Sequence, residues 1–305
     1  MSLSVQIPIT LTDSMLSSSS VAEADYTEWS GATTYAVGDK VISLTTHRIY
    51  ESAAAANLNK DPTDIANRTG TTIWWVDIAP TNKWAMFDAV NNTQTIDTSP
   101  IIVAVLPGVC NSVYFGNLDA TSLHILSTDA TSGAILYDSG EIFLDAPPDY
   151  YEYFFDPIIE VRNYLMANMT PHSNALVTVT ITNNSDTAKI GILSFGEIRP
   201  LGRTTIGASL KPKTYSYINT DAFGNTTIVR RKATTDMSVS ATGDLIDAST
   251  VATIIQEVLD VPCVWIANDE CTLYDGLIVF GLGSGEITYV DSVKYQLSIN
   301  VQGLI

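Results

Sequence analysis

Cations are scarce in this chain. Its 305 residues include 15 Lys and Arg against 33 Asp and Glu, for a net charge of −18. A protein that binds bulk nucleic acid needs cations to displace counterions from phosphates, so that role is not expected. An anionic membrane surface would repel the chain as well. Long apolar runs are missing: the longest aliphatic run, Ile101 to Leu106, falls far short of the ~18 residues of a membrane span, so no membrane insertion is expected. The three cysteines, Cys110, Cys263 and Cys271, are odd in number and widely spaced, which indicates neither a zinc site nor a disulfide framework. His47, His124 and His172 lie too far apart in sequence to suggest a metal pair. No GxSxG, HExxH or P-loop occurs, and the GLGSG at 281–285 lacks a following helix, so it is expected to be a hairpin turn. No cofactor is implied. The opening MSLSVQIPITLTDSMLSSSS has no Lys or Arg and no continuous apolar segment, so no secretion signal is expected.

The chain is rich in short β-type runs. Residues 100–106, 123–129, 175–183, 191–198 and 294–305 are apolar and β-branched or alternate with period two, with Gly, Asn, Asp and Pro between them. In 175–183, Val177, Val179 and Ile181 fall on one face and Leu176, Thr178, Thr180 and Thr182 on the other. One segment has clear helical spacing: residues 249–260, with Val251, Ile254, Ile255 and Val258 on one stripe, Asp247 or Ser249 placed to cap it and Pro262 beyond its end. A weaker helix candidate spans residues 51–58. The expected fold is mainly β. It comprises an N-terminal segment (1–25), a small three-stranded module (26–92), a central β-sandwich (93–200) and a C-terminal α+β domain with one clear helix (201–305). The middle of the chain is its acidic part, with 12 Asp and Glu against 3 Lys and Arg in 93–200.

Residues 26–88 concentrate large aromatics. Tyr35-Ala-Val-Gly-Asp39 reads as a tight turn, with Gly38 free to take a positive φ and Asp39 holding the turn, and it leads into a hairpin over 40–51. Trp29, Tyr35, Tyr50, Trp74 and Trp75 are many large rings for a short stretch to bury. Flat rings beside Asp, Asn or Thr suit a sugar, which offers an apolar C–H face ringed by hydroxyls. The order Trp29, Tyr35, Gly38, Asp39, Val41, Tyr50, Pro62, Trp75 resembles the small chitin-binding-type carbohydrate-binding modules. That resemblance implies glycan contact by exposed aromatics, with Tyr35, Tyr50, Trp74 and Trp75 as candidates; the early Trp is usually part of the fold. Adjacent strand residues face opposite sides, so at most one of Trp74 and Trp75 is expected to face the core. Tyr35 and Tyr50 are balanced between core and contact.

Two further stretches resemble tail proteins of tailed bacteriophages. WWVDIAPTNKWAMFD at 74–88 is similar to their W-x-D-x-G-P-T-N-R-W-A-M-F-D, with Ala79 in place of Gly and Lys83 in place of Arg. TYSYINTDAFGNTTIVRRKATTD at 214–236 is similar to their T-Y-S-Y-I-x-T-D-x-F-G-N-T-x-x-V-x-R. The late VPCVWIAN and closing INVQGLI also fit. The resemblance implies a virion tail component assembled in the host cytoplasm, at the tail tip, the baseplate or a fibre or collar attachment. Its implied partners are other tail proteins, further copies of itself and a host-surface glycan. The alternatives are a purely architectural protein and a glycan-cleaving enzyme.

Elsewhere, ordinary roles are expected. Trp84 should pack in the WAMF run and dock the module on the sandwich. Asp119, Asp129, Asp138 and Asp145 read as turn carboxylates, since no D-x-D-x-D-G calcium loop occurs. Glu152, Asp156 and Glu160 are four apart, but Pro157 argues against one continuous helix, and chain spacing alone does not make a carboxylate pair. Arg230, Arg231 and Lys232 form the one basic cluster, at a solvated strand end or against an acidic neighbour. A non-enzymatic chain is expected.

Overall fold

The computed structural model describes residues 2–144, 150–155, 161–220, 223–268 and 277–304. The fold is mainly β, with 51% of residues in strands and 10% in helices. No helix among the described residues is long and apolar enough to cross a membrane. Strands β1 (Ser2–Pro8) and β2 (Leu16–Ser19) precede the aromatic-rich unit. That unit holds β3 (Thr34–Tyr35), β4 (Lys40–Ser43), β5 (Arg48–Ser52), β6 (Asn57–Leu58), α1 (Ala66–Thr69) and β7 (Trp75–Pro80). Then follow β8 (Thr95–Thr98), β9 (Ile101–Val105), β10 (Ser112–Gly116), β11 (Ser122–Asp129), β12 (Ile135–Phe143) and α2 (Tyr150–Phe155). Next come β13 (Tyr164–Met166), β14 (Ala175–Thr182), β15 (Thr187–Ile190), β16 (Ile192–Thr204), β17 (Ser209–Thr214), β18 (Tyr217–Thr220) and β19 (Thr226–Val229). The chain ends with β20 (Ala233–Asp244), α3 (Ala248–Val258), β21 (Cys263–Ile266), β22 (Ile278–Tyr289) and β23 (Lys294–Gly303).

The largest sheet runs β13-β10-β16-β1-β21-β22-β23-β20-β17, and β16 also pairs with β20. That extra pairing, Arg203 with Thr242 and Thr204 with Ala241, closes six antiparallel strands into a ring. Closure removes the edges those strands would otherwise present. The ring shares one core with α3: Leu3 and Val5 of β1, Val239 of β20, Trp265 of β21 and Leu297 and Ile299 of β23 join Val251, Ile254, Ile255 and Val258. The apolar stripe of α3 is therefore the one its sequence spacing indicates. Asp247 precedes α3 but makes no side-chain cap bond, because a 3-10 turn over Leu245–Asp247 runs directly into the helix.

A five-stranded sheet, β12-β11-β14-β9-β2, shares a second core with β10 and the first half of β16. Val177, Val179 and Ile181 of β14 are fully buried there with Val113, Phe115, Leu193 and Phe195, while the alternate face of β14 is half-buried. β16 thus serves both cores, with Leu193 and Phe195 in one and Leu201 in the other.

Two expectations are corrected. Residues 51–58 are not helical: they finish β5, turn through Ala56 at φ 55° and form β6. The 281–285 segment is not a hairpin turn but the interior of β22. Its glycines make room, since a side chain at Gly283 would occupy the ring of Trp265.

Candidate functional site

The aromatic unit is built on the antiparallel sheet β4-β5-β7, with β3 paired to β6 beside it. The turn into β4 forms as its sequence indicates. Gly38 takes φ 90°, and the Asp39 carboxylate accepts the Ala36 amide at 2.7 Å. Tyr35, Val41, Tyr50 and Trp75 form the unit's own buried core. Tyr35 and Trp75 meet edge to face at 5.2 Å. Trp75 Nε1 donates to the Lys60 carbonyl at 2.6 Å, the Tyr50 hydroxyl bonds the Thr46 hydroxyl at 2.9 Å, and the Ser30 amide donates to the Tyr35 hydroxyl at 2.8 Å.

Three of the four candidate glycan contacts, Tyr35, Tyr50 and Trp75, are therefore buried and offer no ring face to a ligand. The physical reason is size: a unit this small can reach a closed core only by turning its largest rings inward. Trp74 remains. Alternation along the chain turns it away from Trp75, and its ring is half-buried, packed with Trp29 against the outside of that core. The Lys60 ammonium lies 5.3 Å from the Trp74 ring centroid. The Trp74 carbonyl accepts the Ala53 amide and the Asn57 side chain, at 2.9 and 3.2 Å, so the backbone beneath the ring is fixed. On the same sheet Arg48 Nη2 meets Asp77 Oδ1 at 2.7 Å, and Arg68 lies 3.8 Å from the other carboxylate oxygen.

The unit meets the rest of the chain at His47, which sits between β4 and β5 at φ 53°. Its Nε2 is 2.7 Å from Asp13 and its Nδ1 2.9 Å from Glu23, both from the first 25 residues. Thr81 donates to the same Glu23 oxygen at 2.9 Å. The imidazole stacks on Trp84 at 4.1 Å, and Trp84 meets Phe87 edge to face. Trp84 is 8% exposed, and Met86 beside it enters the larger core. A cleft of about 430 Å³ lies along this junction, lined by Ile9, Leu11, Arg48, Trp84, Phe87 and Phe280 among others. Asp88 also lines it, and burial raises its carboxyl above the ordinary value against the bonds from Thr93 and Val90 that lower it.

The junction has the parts of an acid–base relay but not its arrangement. A carboxylate stands at each nitrogen of His47, so neither is left to activate a hydroxyl. Among the described residues no group of three His, Cys, Asp or Glu could hold a metal ion. Asp119 pairs with Lys189 at 2.7 Å, while Asp129 accepts the Thr131 and Ser132 amides and Asp138 accepts the Gly140 amide beside His124, so the latter two fix local backbone. Glu152 falls within α2, but its side chain, with Asp156, Pro157 and Glu160, lies outside the described residues, as do Asp145 and Cys271.

The Asp13–His47–Glu23 contact was not visible in the sequence, where its members are 10 to 34 positions apart. Comparison of the chain with protein-family models, with curated proteins and with solved structures finds no match.

Proposed function

We propose that this chain is a non-enzymatic structural component of a tailed-bacteriophage tail. The observation that carries the reading is the likeness of residues 74–88 and 214–236 to tail-protein sequence. It is supported by what those stretches do in the fold. The first forms β7 and the turn that fixes the aromatic unit to the body through Trp84 and Met86. The second forms β18 and β19, a ribbon beyond the closed ring. The first is an architectural task, and the second leaves the ribbon uncovered. The test is immunogold labelling of purified virions from the host that carries this gene. Label on the tail supports the reading; absence of the chain from purified particles overturns it.

A second reading, that the aromatic unit also holds a host glycan, is favoured by one observation. Trp74 keeps part of its ring in solvent beside the Lys60 ammonium, over a backbone fixed by two hydrogen bonds. One ring gives a weak site, and many copies on a particle would multiply it.

A further inference from the structure

We infer that β17 and the ribbon β18–β19 form a docking surface for a second copy of this chain, and that they seat on the acidic edge strand β12 of that copy. The first observation is an uncovered ribbon. Among the described residues β18 and β19 pair only with each other, and a lone two-stranded ribbon is at best marginally stable in water. Ile218 and Ile228 stand directly across from one another on it and are 67% and 62% exposed. Ile206, just before β17, is fully exposed. Apolar side chains placed this way add little to the isolated fold and suit a contact.

The second observation is charge. Residues 209–232 contain Lys211, Lys213, Arg230, Arg231 and Lys232 against one acid, Asp221, for a net +4. The rest of the chain, whose total is −18, therefore carries −22. The cations sit among rings: Arg231 lies 5.0 Å from the Tyr217 centroid and Lys213 lies 5.3 Å from that of Tyr215. Such a surface is basic and apolar at once.

Its complement is on the same chain. Strand β12 carries Asp138 and Glu141 and no Lys or Arg. It is the outer strand of the five-stranded sheet and, among the described residues, is bonded on one side only, to β11. It exposes Ile135 and Phe143 on either side of Asp138 and Glu141. Basic and apolar on one patch thus match acidic and apolar on another. Two different patches make a head-to-tail contact, which closes into a ring or extends as a filament. The apolar side chains supply affinity, and the charges supply register and partner choice. A polyanion is the poorer occupant, because the −22 on the rest of the chain repels it.

The test uses the full chain in size-exclusion chromatography with light scattering, over a range of protein and salt concentrations. Wild type is expected to associate with concentration and to dissociate with salt. Ile218→Ser/Ile228→Ser, Arg230→Glu/Arg231→Glu and Glu141→Lys should each weaken association on the order of tenfold or more, with circular dichroism and melting temperature kept. Mixing the charge-reversed ribbon variant with the charge-reversed β12 variant should restore association between them. A wild type that stays monomeric, ribbon variants that associate as wild type does, or a mixture without rescue overturns the inference. So does tight binding of a short single-stranded oligonucleotide to a chain that remains monomeric.

Discussion

The indole of Trp265 on β21 occupies the space that a side chain at Gly283 on β22 would fill. The residue is glycine because the core of the ring needs an indole there, and the backbone of the neighbouring strand must come up against it. Trp265 has no exposed surface, and its Nε1 donates to the Gly281 carbonyl at 3.2 Å, so the ring cannot swing aside without losing a buried bond.

Gly283→Ala should therefore be among the most damaging single-methyl additions in the chain. The expected loss is roughly 1–3 kcal/mol, the range for overpacking a filled core. Urea unfolding would measure it. Adding Trp265→Phe should recover part of the loss, since the two positions share one space. A Gly283→Ala variant as stable as wild type would show that the ring has room that the packing denies.

Cys110 and Cys263 should be unreactive in the native protein. Both are buried, and burial raises the first thiol to about 11 and the second to about 12. At neutral pH neither supplies the thiolate that an alkylating agent needs. Iodoacetamide labelling followed by peptide mapping should find both unmodified until denaturant is added. Rapid native labelling of Cys263 would mean that the ring opens.

Acid should weaken the fold through its turns. The carboxyls of Asp129, Asp138 and Asp291 lie below their ordinary value of 3.8, chiefly because backbone amides of Ser132, Gly140 and Val293 donate to them. A lowered carboxyl adds stability above its unfolded value, and that stability is lost as pH falls through the folded one. Asp88 has the opposite sign: burial raises it, so its contribution declines as pH rises from 3.8 through its folded value. Melting temperature should fall below pH of about 4. Asp88→Asn should melt at or above wild type at neutral pH, with the difference vanishing in acid. A neutral-pH loss in that variant would mean that the bonds from Thr93 and Val90 outweigh desolvation.

His47 should control how firmly the aromatic unit is held. Its ring contacts Asp13, Glu23 and Trp84 together, joining three separate parts of the chain. His47→Ala should increase proteolytic cleavage around residues 20–30 and 80–90 while the cleavage-resistant body persists. Limited proteolysis with mass spectrometry would read this. An unchanged digestion pattern would assign the junction to Trp84 and Met86 alone.

Local patterns in the sequence carried the local structure. The alternation of 175–183, the Gly38–Asp39 turn with its hairpin, and the helical stripe of Val251, Ile254, Ile255 and Val258 all depend on neighbours within a few residues. Ring closure does not. It depends on β1, in a stretch read only as an N-terminal segment, lying between β16 and β21, some two hundred residues away. The glycines of β22 misled for a related reason: they resemble a turn unless the partner ring, Trp265, is known. For the candidate site, chain alternation separated Trp74 from Trp75 but could not say which one faced inward. That was decided by where Tyr35 and Tyr50 packed.

Trp74 and Trp75 should accordingly behave as opposites. Trp75→Ala removes the centre of a four-residue core and a 2.6 Å bond to Lys60, and should cost roughly 3–5 kcal/mol. Trp74→Ala removes a half-buried ring and should cost far less, leaving the unit folded. If the unit holds a glycan, retention of the full chain on an array of host-surface glycans should disappear in Trp74→Ala while the melting temperature stays close to wild type. Lys60→Ala should weaken retention less, since it touches the ring through a cation–π contact at 5.3 Å. Retention that survives Trp74→Ala would move the contact off this ring. No retention of wild type, with the chain present in purified tails, would leave the aromatic unit a purely architectural element.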